Sequence, residues 1–146
     1  MRMAGYSATP LARKLGIKSG HVIALLDAPP TLPELLAPLP DETDVRTSLD
    51  GGPFDVVVCF TTKRDDLVRH VAQVQPVLAV AGGLWIAWPK KAARVPTDLA
   101  DNKAVRELRL SELFTGPGRS LLVYQLMFGK LQTEPCPMCT MWIDGF

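Results

Sequence analysis

An imbalance of charge is nearly absent from this chain: sixteen Lys and Arg face fifteen Asp and Glu, a net charge of +1 over 146 residues. Neutralising a phosphate backbone takes a basic excess, so nucleic acid is excluded as the expected partner. Long apolar runs are missing too. No stretch reaches the roughly 18 apolar residues that span a bilayer, and the opening MRMAGYSATPLARK lacks the apolar centre of a signal peptide, so a cytoplasmic protein without a membrane partner is expected. Cysteines are few and odd in number, three in all, with Cys59 inside an apolar run, which does not fit an extracellular disulfide framework. There is no Gly-rich phosphate loop, no Ser-His-Asp pattern and no pair of carboxylates placed for acid–base work. Structural zinc needs four ligands, and beyond Cys136 and Cys139 the chain offers Cys59 in a strand, His21 and His70, so no metal is expected.

What remains is enough for one domain, able to bury about two thirds of its unfolded surface in a single core. Thr9-Pro10 followed by Gly16 reads as a short helix carrying Leu11, Ala12 and Leu15 inward. Residues 21–26 (HVIALL), between Gly20 and the turn DAPP, suit a first buried strand. Five prolines between Pro29 and Pro40 leave room only for the helical patch LPELLA, and residues 43–49 read as a second, weaker strand.

The middle of the chain carries the clearest unit. FDVVVCF, residues 54–60, is a β-branched strand followed at once by Thr62 and Lys63, where a helix begins. That helix, residues 63–75, places Leu67, Val68, Val71 and Val74 on one face, with Asp65 and Asp66 near its positive end, and stops before Pro76. LWIAW, residues 84–88, is the next strand, closed by Pro89. Strand, crossover helix and strand with continuous apolar strands predict an α/β fold: a parallel sheet in three layers, helices on both faces. Residues 101–146 change in character, and LLVYQLMF (121–128) reads as a strong strand that joins the same sheet, because it cannot bury itself alone.

GYSATPLARKLGIKSGH (5–21), VIALLDAP (22–29) and WPKKAARVPTDL (88–99) resemble the motifs of a small bacterial family of unknown function. That family is similar to a reduced Rossmann-like fold of the S-adenosylmethionine methyltransferase kind, and the resemblance implies this fold for residues 1–100. The departure is chemical. Close approach of a coenzyme needs glycines after the first strand, whereas LLDAPPTLP places two prolines there, each lacking an N–H donor. Neither methyl transfer nor any bound cofactor is expected.

Residues 105–146, with LSELF, YQLMFG and CPMCTMW, are similar to the opening of a thioredoxin-like bacterial family. Coverage is under half of such a domain, so the chain reads as a junction of two families: a natural fusion, a truncated product or an engineered chimera. That resemblance implies Cys136 as nucleophile and Cys139 as resolving thiol of a thiol–disulfide oxidoreductase, the alternative to a non-enzymatic binding domain. The exposed apolar residues Met138, Met141, Trp142 and Phe146 point to a homodimer formed through the terminal segment.

Ligand candidates cluster past the strand ends, where α/β sheets open their crevice. Trp88 with Lys90 and Lys91 sets an indole beside two ammonium groups, suited to a small anionic ligand; a core tryptophan followed by a solvated basic turn is the competing reading. Asp27 ends the first strand as either a hydroxyl-binding carboxylate or an Asx turn, and Tyr6 and Ser7 close over the same crevice. The favoured binding-domain reading predicts that pH-dependent alkylation of Cys136 gives an ordinary thiol pKa, about 8.5; a strongly lowered value would establish the oxidoreductase instead.

Overall fold

The computed structural model describes residues 9–89 and 94–99. Four strands, β1 (Val22–Leu26), β2 (Asp44–Arg46), β3 (Phe54–Phe60) and β4 (Leu78–Ala87), form one sheet in the order β2-β1-β3-β4, every neighbouring pair parallel. Three helices, α1 (Leu11–Lys14), α2 (Leu32–Leu36) and α3 (Arg64–Val74), and a 3-10 turn (Gln75–Val77) complete the described chain. The expected α/β architecture with a parallel sheet is therefore present.

Alternation along the strands sorts the core into two halves. Ile23, Leu25, Val56, Val58 and Trp85 point to one side, where Leu11, Leu15, Leu32 and Leu36 of the first two helical segments cover them. Ala24, Val57, Cys59 and Ile86 point to the other, under Leu67, Val71 and Val74 of α3. Both faces are thus dry, which is why the strands read as unbroken apolar runs. Asp55 interrupts the run on β3 for a reason: its Oδ2 accepts from the Val22 amide at 2.8 Å, satisfying the first donor of β1.

Two expectations needed correction. The last strand starts at Leu78, not residue 84, because Leu78 already pairs with Phe54; Val56 next matches Gly83, so the intervening residues of β4 bulge outward. Gly82 permits this, since a Cβ there would lie 2.9 Å from the carbonyl oxygens of Ala79 and Phe54. On α3 the buried stripe is Leu67, His70, Val71 and Val74, while Val68 is 43% exposed. Position 68 lies a full 100° round the helix from 67, outside the stripe, whereas 70 falls within it. At the start of α1, Pro10 is the N-cap. Residues 121–128, expected to add a strand, lie outside the described residues.

Since Leu67 is fully buried and Val68 is not, Leu67→Ala should cost about 2–5 kcal/mol in denaturant unfolding. Val68→Ala should stay within about 0.5 kcal/mol of the parent. Equal losses at the two positions would contradict this placement of α3.

Candidate functional site

β1 and β3 lie side by side, yet the chain leaves β1 for β2 on one side and leaves β3 for β4 on the other. Their carboxyl ends therefore diverge at the topological switch point, where open parallel sheets present a crevice. A cavity of about 440 Å³ opens there, lined by Asp27 after β1, Phe60, Thr61 and Thr62 at the end of β3, Asp66 on α3, and Trp88 after β4. Trp88 is 5% exposed, and its indole N–H has no hydrogen-bond partner. A buried donor without an acceptor costs about 1–3 kcal/mol, so few are retained without a reason. Trp85, three residues earlier on the opposite face, differs: its Nε1 donates to the Leu15 carbonyl at 3.1 Å.

Asp27 leaves β1 with φ at +52°, in the left-handed region that aspartate tolerates better than most residues. This turn carries its carboxylate out of the sheet, with its side chain 69% exposed, towards α3. There Oδ2 lies 3.0 Å from Nε2 of His70, a contact that lacks the alignment of a hydrogen bond and becomes an ion pair only when the imidazole is protonated; among the described residues Nδ1 has no partner. His70 is only 6% exposed. On sequence grounds a lone helical histidine is expected to be structural or solvent-facing, and its spacing, about 60° round the helix from Leu67, places it only at the edge of the apolar stripe. Burial pushes the thiol of Cys59, one turn of pleat behind this corner, up to about 12, and the negative charge of Asp27 adds to the effect. Cys59 is therefore a packing group, not a nucleophile.

The mouth of the cavity is shaped by residues 94–99, which fold back over the β3–α3 connection. Thr97 Oγ1 donates to the Thr62 carbonyl at 2.7 Å, and Asp98 Oδ1 accepts from the Arg64 amide at 2.8 Å. α3 is thus capped by a carboxylate 34 residues away rather than by a neighbouring Thr, and the positive end of the helix is already paired with an anion. Thr61 instead closes its own turn, its hydroxyl accepting from the Lys63 amide at 3.3 Å.

Of the sequence-derived candidates, Asp27 and Trp88 do meet around one cavity. Tyr6, Ser7, Lys90, Lys91, Cys136 and Cys139 lie outside the described residues. Among the described residues no group of three His, Cys, Asp or Glu side chains could hold a metal ion, and no helix is long and apolar enough to cross a membrane. Comparison with family models, with curated proteins and with solved structures finds no match.

The contrast between the two indoles can be measured. Trp85→Phe strands the Leu15 carbonyl, whereas Trp88→Phe strands nothing, so chemical denaturation should show Trp85→Phe losing about 1–2 kcal/mol more. Parity between the variants would mean that the Trp88 N–H is bonded in the free protein.

Proposed function

We propose that the chain is a small-molecule-binding domain of the reduced Rossmann, methyltransferase-like kind, cytoplasmic and without a catalytic step of its own, whose ligand sits between Trp88 and Asp27. The parallel order β2-β1-β3-β4 supports the fold reading, since it is the central portion of a doubly wound sheet. The observation that carries the functional reading is the unpartnered indole N–H of Trp88 in the cavity wall. A ligand acceptor placed there relieves a penalty the free protein bears.

The wall specifies the ligand further. Phe60, Pro29 and Pro89 supply an apolar lining for a flat ring, and the carboxylates of Asp27 and Asp66 call for hydroxyl or amino donors. Asp66 is paired with Arg69 at 2.8 Å, so it is chiefly the Asp27 carboxylate that repels an anionic group from the cavity itself. A ligand with negative charge must therefore direct it outward; Lys90, Lys91, Tyr6 and Ser7, the sequence candidates for holding that charge, lie outside the described residues. A nucleoside monophosphate has this layout: a flat base, donor-bearing edges and one distal anion. The prolines after β1, and a helix end occupied by Asp98, argue against the grip that a methyl-donor coenzyme requires. The thiol–disulfide alternative rests on Cys136 and Cys139 alone, because Cys59 is buried with a raised pKa.

A thermal-shift panel of AMP, ATP and S-adenosylmethionine tests the proposal. Saturating AMP should raise Tm by several degrees, and Trp88→Phe should shrink that rise while leaving the free protein folded. Silence across the panel, or an undiminished rise in Trp88→Phe, would sink it.

A further inference from the structure

A second cavity lies on the far side of Asp27 and plays no part in the reading above. It occupies about 430 Å³ between the carboxyl ends of β1 and β2 and the flank of α3, lined by Asp27, Thr47, Ser48, Asp50, His70 and Gln73 together with two leucines. Its chemistry is lopsided. Two carboxylates, two hydroxyls and an amide face it, and no Lys or Arg is among its described lining. Arg46, at the end of β2, cannot neutralise it: the guanidinium is held by Asp44 at 2.7 Å and by the carbonyls of Asp50 and Gly51 at 2.9 and 2.8 Å. The Asp50 carboxylate accepts only from the Ser48 hydroxyl, at 2.9 Å.

Acidic residues alone would mean nothing, but His70 adds a separate observation. It is more than nine-tenths buried in the cavity wall, it occupies a position in the α3 stripe that packing alone would fill with an aliphatic residue, and neither ring nitrogen has an aligned hydrogen bond. An imidazole nitrogen that carries no proton accepts, as do the Gln73 carbonyl and the carboxylates of Asp27 and Asp50. The wall thus offers two carboxylates and several acceptors, with Thr47 and Gln73 able to donate as well.

We propose that this second cavity binds a small organic cation rich in N–H donors, a primary amine or guanidine, held by Asp27 and Asp50 and by hydrogen bonds to His70 and Gln73. A bare metal ion is the wrong occupant, since no three of the acidic and imidazole groups converge on one point. An uncharged polyol fits the hydroxyls but leaves both carboxylates uncompensated.

The chain holds two histidines, which makes the test direct. His21 sits at the opposite, amino end of β1, with its Nδ1 accepting from the Lys18 amide, and serves as an internal control. Putrescine and agmatine titrated into the intact protein should shift the His70 ring resonances saturably and leave those of His21 in place. Butanediol, of putrescine's length but uncharged, should shift neither. Asp50 is exposed, so Asp50→Asn folds normally, and it should weaken putrescine about tenfold, the weight of one charge-assisted hydrogen bond. Trp88→Phe should leave putrescine affinity unchanged, which separates this site from the nucleotide cavity. The proposal fails if no amine saturates the His70 signals, if His21 moves in parallel, or if Asp50→Asn binds as well as the parent.

Discussion

The parallel pairing of β1 with β3, from Ile23 against Val56 to Leu26 against Cys59, is the constraint from which the rest of the molecule follows. Parallel neighbours cannot be joined by a tight turn, so the chain must cross a face of the sheet between them. Here the traffic goes both ways: α1 and α2 cover one face and α3 covers the other. Covered faces demand apolar strands, and they push every polar function to the strand ends. Asp27, Thr61 and Trp88 stand where they do because that edge is where the strands end and side chains can line a crevice.

Burial on this scale leaves little tolerance for polar groups without partners, and most are provided for. Asp55 serves the first amide of β1, Asp98 the first amide of α3, and Leu15 the indole of Trp85. Against that background the two exceptions stand together, Trp88 on one side of Asp27 and His70 on the other, each in the wall of a cavity. Their shared neighbour is held in a left-handed turn that few residue types accept. Unsatisfied donors and acceptors, a strained turn and open space coincide at one edge of the sheet, and it is this coincidence that marks a binding edge.

The strands were legible because their burial on both faces leaves an uninterrupted β-branched signature: FDVVVCF is β3 to the residue. α3 was legible to within one residue at each end, from its spacing and from Pro76. Contacts between residues far apart in sequence were not. Nothing in KRDDLVRHVAQV says that its cap is Asp98, and the residue type hides the burial of His70, because at the edge of the stripe a polar side chain reads as solvent-facing until the opposing strand is placed. Glycines 82 and 83 lie just ahead of the strand expected at 84–88, and the bulge that Gly82 permits is visible only once Phe54 has a partner. The site was half legible. Trp88 and Asp27 could be located from their positions after strands, whereas the division of the crevice into two chemically different cavities depends on where α3 lies.

Native-state hydrogen exchange tests the central pairing most directly. Amides of Ala24, Leu25, Val57 and Val58 should exchange slowest and together, through global unfolding, while those of the short strand β2 open earlier. Exchange of β1 and β3 as separate units, or protection in β2 that outlasts both, would contradict a molecule organised around that pair.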